Sequence, residues 1–199
     1  MKKLLLLLLF IPLVCIGQLD DKDKALEVHN FERKSLNLQP LKWSNKLEND
    51  SKKYADYLAS KDIFRHSKDL RKLKQGENLY STMYYVIDDN GEKYFFDETN
   101  YLFDASVAWL EEKKDYKYAR ISDGTNTFSK IGHYTQMIWN KSKEVGIAYS
   151  KSKSGNIYVV ARYFPQGNLT GEYPYLTKGI SSSFNSATSN PKNSYSDKL

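Results

Sequence analysis

The chain has 199 residues, 40% hydrophobic and 14% aromatic, with a formal charge of +6 and a single cysteine. One cysteine excludes an internal disulfide framework and a zinc ribbon, and a mild charge with no dense basic cluster gives no footprint for nucleic acid.

The opening MKKLLLLLLFIPLVCIGQ has two lysines, an apolar run from Leu4 to Gly17 and a small residue at its end. That is the make-up of a secretory signal peptide, residues 1–17, cut after Gly17. The run is shorter than the roughly 20 residues that a membrane-spanning helix needs, so no transmembrane segment is expected. Lipoprotein attachment at Cys15 is the alternative, disfavoured by the bulky Val14. Cleavage removes the cysteine with Lys2 and Lys3, leaving a thiol-free secreted or periplasmic protein of charge about +4. What remains, about 180 residues, is enough for one core without disulfides.

Residues 18–24 read as a charged lead-in. A helix follows in ALEVHNFERKSLNL, with Leu26, Phe31 and Leu36 at near-helical spacing, and Pro40 ends it. Ser44 can cap a second helix that carries Leu47, Ser51, Tyr54, Ala55 and Leu58 on one face. The basic stretch from Lys61 to Lys74 reads as a loop, GENLYSTMYY as a short helix opening at Gly76, and DDNGEK as a turn. In ETNYLFDASVAWLEEKKDY the 100° helical step puts Leu102, Ala105 and Trp109 on the buried face. Glu112 lies about 60° from Trp109, whereas Glu111 points outward. EVGIAYS and IYVVARYF, joined by KSKSGN, read as a β-hairpin. From Lys178 onward the chain is Ser, Asn, Lys and Thr, a composition that stays disordered. One domain over residues 25–177 with a polar tail over 178–199 is the resulting division, and helices followed by late strands predict an α+β class.

No GxSxG, HExxH, Walker or GxGxxG pattern occurs. The remaining chemistry is His66 in RHS, Glu77 in GEN, Glu112 on the Trp109 face, and His133 in GHY. Histidine is the usual neutral metal ligand and proton shuttle, and carboxylates orient imidazoles, so two of each can build a metal or acid/base site. The spacing equally fits four unrelated residues: a loop histidine, a first-turn glutamate, a half-exposed glutamate and a bonded core histidine. His29, a helical step before Arg33, reads as a surface or structural group.

GHYTQMIWNKS resembles the first signature of the CAP superfamily (cysteine-rich secretory proteins, antigen 5 and pathogenesis-related proteins; the SCP-like domain), and VVARYFPQGNL resembles its second. HNFER, LQPLKW, HS at His66, GENLY and AWLEEKKDY extend the likeness, in order, from Leu26 to Asn168. The resemblance implies a three-layer α-β-α sandwich around a mainly antiparallel sheet. Its cleft would hold a tetrad of His66, Glu77, Glu112 and His133, with a divalent metal, commonly zinc, on His66 and His133 and the glutamates in support. The chain departs from many eukaryotic members at Ile147 and Ala161, where they carry cysteines, and in a basic insert, RKLKQ, at the cleft rim.

Functions across that family are varied, and fold does not settle them. The primary expectation is a secreted, non-catalytic binder of a small apolar ligand, a lipid or sterol, with the aromatic stretch YSTMYYVIDDNGEKYFFDETNYLF as its surface. A hydrolase or protease working through zinc-bound water, with Glu77 or Glu112 as base, is the catalytic alternative. An extracellular protein-interaction module is the third. The lysine-leucine leader has a bacterial look.

Overall fold

The computed structural model describes residues 19–95 and 100–177, so the expected signal peptide and the expected polar tail lie outside the described residues. The elements in chain order are α1 (Asp21–Ser35), β1 (Lys42–Trp43), α2 (Asn45–Lys61), α3 (Leu70–Leu73), β2 (Gly76–Met83), β3 (Tyr85–Ile87), β4 (Lys93–Phe95), α4 (Tyr101–Glu111), α5 (Gly132–Met137), β5 (Glu144–Lys151) and β6 (Asn156–Phe164).

α1 begins four residues before Ala25. The Asp20 carboxylate accepts the Asp23 amide at 2.7 Å, and Asp21 and Asp23 sit where a helix N-terminus favours negative charge. Asp21 to Lys24 of the charged lead-in are therefore the helix's first turn. Ser44 occupies the N-cap position of α2 but makes no side-chain cap bond; burial of Leu47, Ser51, Ala55 and Leu58 holds that helix instead.

The sheet runs β1-β5-β6-β2, with β1 parallel to β5 and the other pairings antiparallel. β6 shows why two helical layers are needed. Its alternate residues Ile157, Val159, Ala161 and Tyr163 enter a core with Trp109 of α4 and Tyr134 of α5, while Tyr158 and Val160 enter another with Ala55 and Leu58 of α2. An α+β, three-layer sandwich results, as expected. Ile147 and Ala161 lie opposite one another in the ladder, 1% and 0% exposed, so ordinary apolar packing occupies the place where a disulfide was absent. α2 reaches this close to β5 because Gly146 has no side chain: a Cβ there would overlap the Glu48 backbone nitrogen and lie 2.6 Å from the Leu47 carbonyl carbon. Ser51 Oγ donates to the Gly146 carbonyl at 2.8 Å across the same contact.

Two local expectations change. Gly76 to Met83 is a strand, not a helix, pairing residue for residue with Tyr163 to Asn156. Its first four residues are buried, which hides the two-residue alternation that would have marked it. Within the aromatic stretch, β3 and β4 form a hairpin around the DDNGEK turn in which the Tyr84, Tyr85 and Phe95 rings pack together, while Val86, Ile87, Tyr94 and much of Phe95 are exposed.

His29 is not a surface group. Fully buried, its Nδ1 lies 2.8 Å from the Ala25 carbonyl and its Nε2 2.8 Å from the Tyr163 hydroxyl. Arg33, also buried, donates to the carbonyls of Gln39, Met137, Trp139 and Ser142. One guanidinium thus ties α1 to the end of α5 and the turn after it, and burial lowers its pKa to about 10. No helix among the described residues is long and apolar enough to cross a membrane.

Candidate functional site

β2 lies at the edge of the sheet, and a cleft of about 660 Å³ opens beside its first residues. One wall comes from His66 and the α3 segment, the other from His133 and Gln136 of α5, with Phe128 and Leu169 adding apolar surface. The RKLKQ insert forms most of α3 and brings Arg71 and Gln75 to the rim. The end of the Gln136 side chain packs over Gly76, and a Cβ there would lie 2.7 Å from its amide carbon, so a larger residue would have to displace Gln136.

His66, Glu77 and His133 line this cleft and Glu112 stands behind His133, so the four candidate residues form two pairs. His66 Nδ1 is 2.8 Å from Glu77 Oε1, which also accepts the Ser67 amide at 3.0 Å. Glu77 Oε2 is 2.9 Å from the Arg162 guanidinium, and both side chains are out of water. His133 Nδ1 is 2.7 Å from Glu112 Oε1, while Glu112 Oε2 accepts the amides of His133 and Tyr134 at 2.9 and 3.0 Å. The helical arithmetic that aimed Glu112 inward agrees with this placement, and Trp109, one turn back, stacks on the His133 ring at 6.2 Å. The histidine side chains stay reachable, 58% exposed for His66 and 33% for His133, whereas their glutamates are 0% and 18% exposed.

An ionised carboxylate only accepts, so in the neutral form of each ring the pairing puts the proton on Nδ1 and leaves Nε2 as the acceptor. The same pairing corrects the metal expectation. Among the described residues no group of three or more His, Cys, Asp or Glu side chains could hold a metal ion. Both carboxylates are committed to an imidazole and to backbone amides, and Glu77 to Arg162 as well. Two imidazole nitrogens are fewer than the three protein ligands of a catalytic zinc or the four of a structural one. The zinc cofactor, the metal roles of His66 and His133, and the metal-dependent tetrad with its hydrolase alternative are therefore withdrawn.

Two further residues shape the site. Asn78 is 1% exposed and donates to the His133 carbonyl at 3.0 Å and the Tyr163 hydroxyl at 3.1 Å, fixing the backbone beneath His133. Arg162 neutralises Glu77 from β6. A lone arginine within VVARYF was a legible signal, since a charge inside an apolar strand needs a buried partner. Asn78 stood next to a candidate with nothing in the sequence to mark it.

Comparison with known proteins adds an independent line. The model of the cysteine-rich secretory protein family, CAP, matches residues 26–163. The chain is 30% identical over 150 residues to human Golgi-associated plant pathogenesis-related protein 1, covering 75% of this chain and 86% of that protein. It is 31% identical over 174 residues to pathogenesis-related protein 1A of Nicotiana tabacum, covering 86% and 90%. Among solved structures it is similar in fold to NaASP2, determined with Zn2+, with a TM-score of 0.62 at 24% identity over 81% of this chain and 88% of that one.

Proposed function

The chain belongs to the cysteine-rich secretory protein (CAP) family, and on that premise we propose that it works outside the cell as a binding protein whose cleft takes, without a metal, a small organic ligand bearing hydrogen-bond donors. The observation that carries this reading is the paired arrangement of His66–Glu77 and His133–Glu112. Each imidazole is held from behind by a carboxylate, so its Nε2 acceptor meets a ligand already oriented and loses little entropy on binding. Apolar surface from Leu70, Phe128 and Leu169 covers the rest of such a ligand. The working unit is residues 25–177, delivered by the leader and followed by the polar tail. Bacterial origin rests on the leader alone, and the relatives described above are human and plant.

A fragment screen by saturation-transfer NMR tests the reading, using the mature protein beside a His66→Ala/His133→Ala double variant. Amide and hydroxyl fragments should bind the wild type without added metal and lose that binding in the double variant. Equal binding to both proteins, or binding by neither, removes the cleft from consideration.

A further inference from the structure

The basic stretch from Lys61 to Lys74 is too sparse to grip nucleic acid, but it borders the cleft. It carries Lys61, Arg65, Lys68, Arg71, Lys72 and Lys74 against Asp62 and Asp69, a net +4 of the chain's +6. All six cationic side chains are exposed, and every ion pair that a lysine or arginine makes among the described residues lies outside this stretch. The backbone that carries them is pinned: the Tyr54 hydroxyl donates to the Arg65 carbonyl at 2.8 Å, the Ser67 amide to Glu77 at 3.0 Å, and the Gln166 amide to the Lys74 carbonyl at 3.1 Å. A fixed basic rim therefore flanks His66, and Arg71 lines the cleft itself.

Nothing inside the cleft opposes that charge. Glu77 is the one carboxylate among the described lining residues, and Arg162 already balances it at 2.9 Å. A concave site bordered by one sign of charge focuses the field within it, so an anionic ligand is drawn in ahead of a neutral one. Phe128 adds a second preference. It is 47% exposed although its ring packs against Gly132, where a Cβ would lie 3.1 Å from the ring edge. An anchored aromatic face left half in water suits the C–H face of a sugar ring, which is apolar on its face and hydroxylated at its edge.

Resting on the cleft as a binding site, we propose that its ligand is an acidic oligosaccharide built of uronic acid units. Ring hydroxyls donate to the Nε2 acceptors of His66 and His133, one sugar face stacks on Phe128, and the carboxylates meet Arg71 and the field of the basic rim. The cleft, at about 660 Å³, has room for a short oligomer.

The test is an NMR titration of the 15N-labelled mature protein, at about pH 7.5 and about 50 mM salt, with trigalacturonate, its trimethyl ester and tri-glutamate, a peptide of the same net charge. Trigalacturonate should bind about tenfold more tightly than the ester, and about 0.5 M salt should close that gap. The exposed pair Arg71→Ala/Lys72→Ala should weaken the acid by about tenfold and leave the ester unchanged, which a merely structural defect would not do. His66→Ala/His133→Ala should lose both sugars. Equal binding of acid and ester overturns the role of the rim. Tri-glutamate binding as tightly as trigalacturonate, trigalacturonate binding undiminished in the histidine variant, or no binding of either sugar overturns the saccharide assignment. The neutral amide and hydroxyl fragments of the screen above decide the cleft itself, so the two readings fail separately.

Discussion

Lowering the pH should destabilise this protein through His29. The Ala25 carbonyl accepts only, so the folded ring carries its proton on Nδ1, and Nε2 must accept from the Tyr163 hydroxyl. A second proton on Nε2 turns that acceptor into a donor aimed at an oxygen already receiving the Asn78 amide. The groups around the ring are Arg33 on its own helix, Trp109 of α4 and Tyr163 of β6, and none offers a negative charge. Burial outweighs the upward pull of the Ala25 carbonyl and, with a lesser push from the Arg33 charge, lowers the pKa from 6.5 to about 4. The unfolded chain therefore takes up this proton first. Stability is full above about pH 6.5, falls as pH drops toward about 4 and levels off below. A separation of that size corresponds to about 3 kcal/mol. Urea unfolding followed by tryptophan fluorescence at stepped pH, for wild type and His29→Gln, isolates the contribution, because glutamine can supply one donor and one acceptor without titrating. The wild type should lose about 3 kcal/mol more than the variant across the window; parallel curves would refute the reasoning.

Glu77→Gln removes the charge that Arg162 faces in a dry setting and should destabilise the fold by about 3 kcal/mol in thermal or urea unfolding; a loss under about 1 kcal/mol would mean that water reaches the pair. Gly146→Ala forces α2 off β5 by backbone collision and should cost about 2 kcal/mol or more, with weakened amide-exchange protection in α2. Calorimetric zinc titration of the mature protein at neutral pH should show no stoichiometric, histidine-dependent binding, since both glutamates are committed elsewhere; a tight one-to-one isotherm abolished by His66→Ala/His133→Ala would reverse the correction.

Local rules set much of this molecule. The angular step along one helix was enough to turn Glu112 inward and Glu111 outward, because i and i+3 share a face whatever the helix packs against. The β5-β6 hairpin was legible for the same reason: its partners are neighbours in sequence and its residues are β-branched and aromatic. Motif likeness named the family and singled out the residues of the two His–Glu pairs. Tertiary structure alone decided what depends on distant partners. Gly76 to Met83 is a strand because β6, some 80 residues onward, supplies its ladder. His29 is silenced by burial among distant elements, its Nε2 meeting the hydroxyl of Tyr163, 134 residues away. Whether two glutamates face a shared centre or brace two separate imidazoles turns on a few ångströms of side-chain placement. Helix and strand periods carry direction along an element, but they hold no information about where two elements' oxygens converge.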